Sequence, residues 1–192
     1  MNTLLENIEN LLPQTQCRQC GFAGCHAYAQ AMVSGQAPIN RCAPGGAKGI
    51  AKLAAALSVP VIDLDPEYGQ EMPFAVARID ARRCIGCHLC AAACPVDVIT
   101  GTPKHLFAVI ETACTGCALC VPACPMDCIT LHETGDAWTE QKAAAAKVAF
   151  EATKKRRAAR QARENADKKH DSATRMAVMQ DVMARVRALQ KK

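Results

Sequence analysis

The sequence predicts an α+β chain in which two small cysteine-rich domains precede a long helical tail. A run of four cysteines followed by proline occurs twice in the middle of the chain, and four more cysteines precede it. Beyond about residue 140 the composition changes to Ala, Lys, Arg and Glu, which are strong helix formers. The predicted parts are a four-cysteine domain at 1–57, an acidic, proline-containing linker at 58–73, a domain with the duplicated run at 74–133 and the tail at 134–192.

The first domain is predicted to be helical. Thr3 and Glu6 have the spacing of a capping box, and the apolar residues after them fall on one helix face until Pro13. Two further helices are expected at about 26–34 and 48–57. Only 4% of the chain is aromatic, so we expect a small core that depends on metal or covalent staples for stability.

Four cysteines in this domain have the spacing C-x2-C-x4-C-x16-C. Three of them share a glycine-containing loop and the fourth returns after the second helix, which suits a cubic iron–sulfur cluster that takes one thiolate at each iron. A tetrahedral zinc site needs only four N or S ligands and stays open as an alternative. The candidate ligands are Cys17, Cys20, Cys25 and Cys42.

The duplicated run has the spacing C-x2-C-x2-C-x3-C-P, and its two copies are offset by thirty residues. This spacing is typical of the bacterial [4Fe–4S] ligand run, in which the fourth cysteine of each copy serves the other cluster. Zinc needs fewer thiolates, and disulfides need an oxidising compartment that nothing in the sequence indicates. The predicted ligands are Cys84, Cys87, Cys90 and Cys124 for one cluster, and Cys94, Cys114, Cys117 and Cys120 for the other.

Cys128 is the last of the 13 cysteines and occupies, in the second copy, the position of Val98 in the first. We therefore predict that Cys128 is a small buried apolar residue rather than a ligand. The repeat also predicts equivalent extended segments in the two copies. Short strands are expected before each run, at 74–80 and 107–111, and equivalent segments follow each proline, at 96–100 and 126–130.

The formal charge of +5 conceals two opposite parts. Residues 1–141 hold 8 Lys and Arg against 13 Asp and Glu, whereas residues 142–192 hold 15 against 5. The sequence has no signal-peptide pattern, no apolar run of about 18 residues and no glycine-rich nucleotide-binding loop. We therefore expect a cytoplasmic protein with an acidic body and a basic tail, and no nucleotide site.

The tail is predicted to begin as a helix near Ala137, with Asp136 as its cap, and to break at 165–172. Three alternatives stay open for it: a solvated charged helix, a surface that docks on an acidic partner or on the chain's own acidic body, and an electrostatic contact with nucleic acid or anionic membrane. The basic residues of the tail are not interleaved with aromatic residues that could stack on bases. One predicted face after the break carries Met176, Met179, Met183 and Val186.

The segment Leu11–Cys25 reads Leu-Leu-Pro-x-Thr-x-Cys-x-x-Cys-Gly-x-x-Gly-Cys and resembles the four-cysteine domain in the B subunit of Rnf-type electron-transport complexes. Residues Ile39–Gly46 are similar to that family's segment around the fourth ligand, and residues 74–133 resemble the bacterial two-cluster ferredoxin domain. The order of the domains is also the family's. The resemblance implies a ferredoxin-like fold for 74–133 and a third [4Fe–4S] cluster on Cys17, Cys20, Cys25 and Cys42. The family's B subunit normally begins with a hydrophobic membrane segment that this sequence does not show, so we expect either a soluble relative or a chain from which the anchor was trimmed.

The resemblance implies an electron-transfer protein with three [4Fe–4S] clusters, in a complex that relays electrons between ferredoxin and NAD, rather than a catalyst by itself. The expected partners are ferredoxin-type donors or acceptors and other subunits of the complex. Because the membrane segment is missing, a free soluble polyferredoxin that serves another reductase is an alternative, and an iron–sulfur regulatory protein that binds nucleic acid is a third hypothesis. The expected location is the cytoplasm, or the cytoplasmic face of the inner membrane through partner subunits.

Overall fold

The computed structural model describes residues 3–189, with side chains to residue 183. The chain divides into two compact units, one that ends at Glu151 and one that begins at Ala152. The helices are α1 (Leu4–Leu11), α2 (Cys25–Val33), α3 (Gly46–Leu57), α4 (Leu89–Ala93) and α5 (Glu140–Leu189). The strands are β1 (Ala75–Ile79), β2 (Ile99–Gly101), β3 (Phe107–Val109) and β4 (Ile129–Glu133). The predicted α+β class is thereby confirmed.

Residues 3–57, which we call the four-cysteine region, are organised by three helices. The predicted capping box is present: the Glu6 amide donates to Thr3 Oγ1 at 3.3 Å, and the Thr3 amide donates to Glu6 Oε2 at 2.9 Å. The helices pack their apolar faces together around a core that also includes Ala29 and Met32. The largest fully buried apolar side chains of this core are Ile8, Leu12, Tyr28, Ile50 and Leu53.

Tyr28 fixes the loop that returns the fourth cysteine to the first three. Its hydroxyl donates to the Pro38 carbonyl at 2.8 Å and accepts from the Arg41 amide at 3.0 Å. Cys42 follows directly and caps the short 3₁₀ turn Ala43–Gly45, after which α3 begins. A buried aromatic hydroxyl thus holds both sides of the segment that leads to Cys42.

The acidic linker that the sequence predicts at 58–73 lies against the four-cysteine region. The Asp65 amide donates to the Asn40 carbonyl at 3.0 Å, and Asn40 Nδ2 donates to the Asp63 carbonyl at 2.8 Å. Glu71 accepts from the Ala47 amide at 3.2 Å, at the N-terminal end of α3. Hydrogen bonds therefore hold the segment against the four-cysteine region near its middle and near its end.

Residues 74–133, which we call the duplicated region, contain two small antiparallel sheets. β1 pairs with β4, with Ile79 opposite Ile129, and β3 pairs with β2, with Val109 opposite Ile99. β1 precedes the first cysteine run and β4 follows the second, whereas β2 follows the first run and β3 precedes the second. Each sheet thus pairs a strand of one half of the repeat with a strand of the other half, which brings the two cysteine runs together.

The two copies of the repeat share the same unusual backbone. Gly86 and Gly116 have φ of +69° and +67°, a region that glycine adopts without a steric penalty. A Cβ at Gly86 would lie 2.4 Å from the His105 carbonyl oxygen, and one at Gly116 would lie 2.6 Å from the Ala75 carbonyl oxygen. Only glycine therefore fits where each cysteine loop passes the neighbouring backbone.

The long helix begins later than the sequence predicts. Thr139, rather than Asp136, caps α5, because its Oγ1 accepts from the Lys142 amide at 3.2 Å. The first turns belong to the cysteine-rich unit: Ala143 and Ala146 are buried there, and Lys147 contacts α1 through Asn10 at 2.8 Å. The cap prediction is wrong because residues 134–138 form the connection between the end of β4 and the start of α5.

The predicted break at 165–172 is also wrong, since α5 continues through it. Asn, Asp and Ser each cost less than about 0.7 kcal/mol in a helix interior, and strong helix formers surround them here. Asp171 and Arg175, which lie one turn apart, also form an ion pair at 3.0 Å that stabilises the helix here. Met176, Met179 and Met183 are exposed, and Val186 lies outside the residues with described side chains. Along residues 3–189, no helix is both long and apolar enough to cross a bilayer.

Candidate iron–sulfur centres

The structure gathers the predicted ligands around three cavities, each lined by four of the cysteines predicted to act together. We number them as sites. Site 1 is lined by Cys17, Cys20, Cys25 and Cys42; site 2 by Cys84, Cys87, Cys90 and Cys124; and site 3 by Cys94, Cys114, Cys117 and Cys120. In sites 2 and 3 the fourth thiol comes from the other copy of the run, as the crossed assignment requires.

The cysteine loop of site 1 is braced by two buried glutamines that the sequence analysis did not single out. Gln16 Oε1 accepts from the Cys25 amide at 3.1 Å, and Gln16 Nε2 donates to Gln14 Oε1 at 3.0 Å. Gln14 in turn donates to the Glu9 carbonyl at the end of α1. This chain of hydrogen bonds connects the start of α2, where Cys25 lies, to the helix before the loop.

Burial controls the protonation of the site 1 thiols. It raises the pKa of Cys25 to about 12 and raises the pKa of Cys42 still further. It also raises the pKa of Cys20, where the nearby Arg41 guanidinium acts in the opposite direction. Without a cation these thiols stay protonated at neutral pH, so metal binding must displace their protons.

A buried hydroxyl at site 1 has no partner within the protein. Thr15 lines the cavity and is 6% exposed, and its Oγ1 makes no hydrogen bond among the residues that the structure describes. Buried hydroxyls are normally satisfied, and a thiolate or an inorganic sulfide can accept such a bond. Site 1 therefore offers four thiols together with an unused donor, which is the chemistry that an iron–sulfur cluster requires.

Site 3 combines Cys94, at the end of α4, with the first three cysteines of the second run. Burial, together with the neighbouring thiols that include Cys94, raises the pKa of Cys117 to about 11 and that of Cys120 to about 12. Cys94 is therefore close enough to interact electrostatically with the second run. The rest of the lining is largely apolar and includes Val96, Val98, Val109 and Leu131.

Site 2 has the most exposed cysteines of the three sites and contains a fifth thiol. Cys87 is exposed and Cys84 is half-buried, whereas Cys90 and Cys124 are buried. Cys128 also lines the cavity, with its Sγ 3.2 Å from Cys124 Sγ. Cys128 is 5% exposed, so it is buried as the repeat predicts. Its exclusion from the ligand set stays a prediction.

Sites 1 and 3 are joined directly by a buried hydrogen bond. Thr115 Oγ1, in the loop of site 3, donates at 3.1 Å to the carbonyl of Thr15, in the loop of site 1. Both residues line the cavities of their own sites. No sequence pattern identifies this contact, because its partners are 100 positions apart and each looks like an ordinary loop threonine.

Trp138 forms a second connection between the two cysteine regions. Its Nε1 donates to the Pro13 carbonyl at 2.9 Å, and its ring lies 4.9 Å from that of Phe74, just before β1. The sequence analysis missed this role, although a single tryptophan in a chain with only 4% aromatic residues was an available signal. Large aromatic side chains contribute strongly to interfaces between packed elements.

All 13 cysteines are free thiols. Among the residues that the structure describes, no three His, Cys, Asp or Glu side chains are arranged around a single metal ion. Instead, the four thiols of each site line a common cavity. The donor set of four thiols per site, with glycine where the loops pass closest to other backbone, fits a [4Fe–4S] cluster.

Comparison with known proteins agrees with this chemistry. Residues 77–131 match a family described as a 4Fe-4S dicluster domain, and residues 12–44 match a family described as a putative Fe-S cluster. The B subunit of the ion-translocating oxidoreductase complex from Thiobacillus denitrificans is 52% identical over 109 residues, which cover 57% of this chain and 58% of that protein. Its counterpart from Azoarcus sp. (strain BH72) is 51% identical over 108 residues, or 56% and 59%. The chain thus spans less than two thirds of the length of these relatives.

The dicluster match and the clustered thiols define an iron–sulfur protein with a domain of the 4Fe-4S dicluster class at residues 77–131. Within that class the chain resembles the B subunit of Rnf-type ion-translocating oxidoreductase complexes, as the relatives with about half of the aligned residues identical show. The resemblance predicted from the sequence is confirmed.

Proposed function

We propose that the chain holds three [4Fe–4S] clusters, one at each of sites 1, 2 and 3, and works as the electron relay of an ion-translocating oxidoreductase complex. The observation that carries the proposal is the grouping of the cysteines. Twelve of the 13 fall into three sets of four, and each set lines a cavity of its own. The relatives named as subunits of such a complex support the biological role.

Each cluster, when bound, supplies a one-electron redox centre whose irons are all held by cysteine. The protein's own residues keep these centres dry and separate. Sites 1 and 3 each have three buried thiols and one half-buried thiol, so water has less access to them than to site 2. Low solvent access makes the environment that surrounds the sulfurs, rather than bulk water, decide the potential.

The different exposure of the sites supports a direction for the relay. Site 2 reaches the surface at Cys87, and two of its lining residues, Ile85 and Met126, are 57% and 37% exposed. Exposed apolar side chains around a redox centre suit a small, transient contact with a redox protein. Site 1 is tied to site 3 by Thr115, and sites 2 and 3 share the core of the duplicated region. These contacts favour site 3 as the middle centre and site 2 as the one that meets a soluble partner.

Cluster content is the first test of the proposal. Anaerobically purified protein is analysed for iron, zinc and acid-labile sulfide, and its EPR spectrum is recorded after reduction with dithionite. Three clusters give about twelve irons and about twelve sulfides per chain, with interacting S = 1/2 signals. About eight irons with one zinc would instead make site 1 a structural zinc site and would remove a centre from the relay.

Membership of a complex needs a separate test. The chain, tagged at its C-terminus in cells that make it naturally, is purified from detergent-solubilised membranes and from the soluble fraction. Co-purification with membrane subunits supports the relay role in an ion-translocating complex. Recovery only as a free protein that exchanges electrons with a soluble reductase would favour the polyferredoxin alternative.

A further inference from the structure

We propose that Cys128 is a positioning residue that donates its S–H to the Cys124 thiolate and so raises the reduction potential of site 2. The inference rests on the proposed function, because it requires a cluster at each of the two sites. It concerns a thiol that the ligand assignment leaves unused. Its consequence is a contribution to the potential of site 2 that Val98, at the equivalent position of the other copy, cannot make at site 3.

Ligation of Cys124 would leave only one direction for the hydrogen bond between the two thiols. The two Sγ atoms are 3.2 Å apart, and both side chains are buried, at 8% and 5% exposure. An iron ligand is a thiolate and has no proton to give, so Cys124 can only accept once it holds metal. Cys128 is then the donor, and a thiol buried beside a thiolate keeps its proton.

The other half of the repeat provides an internal reference. Val98 occupies the equivalent position, lines site 3 beside Cys94 and has no side-chain donor. A donor to a cluster sulfur stabilises the reduced form more than the oxidised form, because reduction places an additional negative charge on the cluster and its thiolates. At this position site 2 has a side-chain donor and site 3 has Val98, so the contact stabilises an electron at site 2.

The effect requires no bond to form or break at Cys128. One electron enters from dithionite or a physiological donor, the Cys128 proton stays on its sulfur, and the number of irons does not change. This separates the proposed role from ligation, in which Cys128 would lose its proton and bind iron.

The test is a potentiometric titration of the full chain, followed by EPR, with iron measured on each sample. Cys128→Val copies Val98 and removes the donor. We expect one cluster potential to become more negative, by up to about tenfold in the one-electron equilibrium or about 59 mV, with the iron content unchanged. Cys128→Ser keeps a donor at the same place and should keep the potential near that of the unchanged protein.

The reciprocal variant Val98→Cys tests the same idea without disturbing Cys128. It adds a donor beside Cys94 and should make the potential of a different cluster less negative. The EPR signal that shifts in each variant therefore shows which signal belongs to site 2 and which to site 3. If a variant at Cys128 fails to fold, Val98→Cys still tests whether a donor at this position shifts the potential.

Three results would overturn the proposal. Loss of about four irons in Cys128→Val would make Cys128 a ligand. Equal potentials in the Val and Ser variants would leave Cys128 with a packing role alone. A shift of the same signal in Cys128→Val and Val98→Cys would contradict the assignment to separate sites. A shortage of iron in the unchanged protein is a different outcome, because it would count against the proposed function itself.

Discussion

The four-cysteine region and the duplicated region differ in the residues that form the core around their cysteine sites. In the first, 3 of the 14 buried core residues are cysteines, and the remainder are side chains of α1, α2, α3 and the loop between them. In the second, 6 of the 13 are cysteines, and the strands are only three to five residues long. A core made of apolar helix faces persists without metal, whereas a core made of ligands does not. Metal should therefore matter far more for the fold of the duplicated region.

Removal of the metal should have the largest effect of any change to this protein. We expect the chelated, reduced chain to lose amide protection throughout 74–133, while α1, α2 and α3 keep part of theirs, because ligand binding and folding are coupled where ligands form the core. Hydrogen exchange followed by mass spectrometry on matched metal-loaded and chelated samples measures this by segment. Equal loss of protection in both regions would show that the helical core is too small to stand alone.

Cys94→Ser should have the next largest effect, limited to one site. It removes the crossing thiol of site 3, which Cys114, Cys117 and Cys120 also line. We expect a loss of about four of about twelve irons and of one EPR signal, with the site 2 signal retained. Cys124→Ser is the reciprocal variant and should spare site 3. Loss of the cluster in the mutated residue's own run, with the other retained, would contradict the crossed assignment.

Sequence analysis could predict which cysteines lie together and the class of fold because both depend on local spacing. Four thiols with fixed separations on short loops restrict what they can bind, and a duplicated run predicts two equivalent halves joined through their fourth ligands. The capping box at Thr3 and Glu6 was equally predictable, since it needs only four consecutive residues. In each case the information lies within a few residues of the feature.

The features that sequence analysis missed depend on how distant surfaces meet. Thr115 bonds to Thr15 across 100 positions, and Trp138 reaches Pro13 across 125. Neither contact leaves a periodic pattern in the sequence. The cap of α5 was misplaced for a related reason. Asp136 and Thr139 are both good capping residues, and the path of the chain after β4 decides between them.

Gly86→Ala should destabilise the duplicated region and leave the four-cysteine region unaffected. The left-handed φ alone costs about 1–2 kcal/mol for a residue with a Cβ, and contact with the His105 backbone adds to it. The measurement is the rate of cluster loss from site 2 in the presence of a chelator, which should rise about tenfold or more.

Gly49→Ala is the matched control, because it lies in α3 and a Cβ there would meet nothing within 4 Å. It should stabilise α3 by up to about 1 kcal/mol. The rate of cluster loss from site 2 should stay unchanged. An equal increase in both variants would mean that the two regions open together.

Thr115→Val should weaken the connection between the two regions by about 1 kcal/mol. The change removes the donor at 3.1 Å and leaves the Thr15 carbonyl without it. We expect faster exchange of amides on both sides of the contact, measured on the metal-loaded protein. Thr112→Val is the control, since Thr112 is exposed. Similar exchange in the two variants would show that the hydrogen bond does not couple the regions.

Thr3→Ala should have the smallest effect. It tests most directly whether the core of the four-cysteine region is stable without metal. It removes one half of the capping box of α1 and should cost about 0.5–1 kcal/mol, whereas Thr3→Ser keeps the hydroxyl and should cost little. Because α1 belongs to a core of apolar helix faces, the faster exchange of its amides should be the same with and without metal. If the effect of Thr3→Ala appears only in the loaded protein, then α1 is ordered by the site 1 thiols, and both regions depend on metal in the same way.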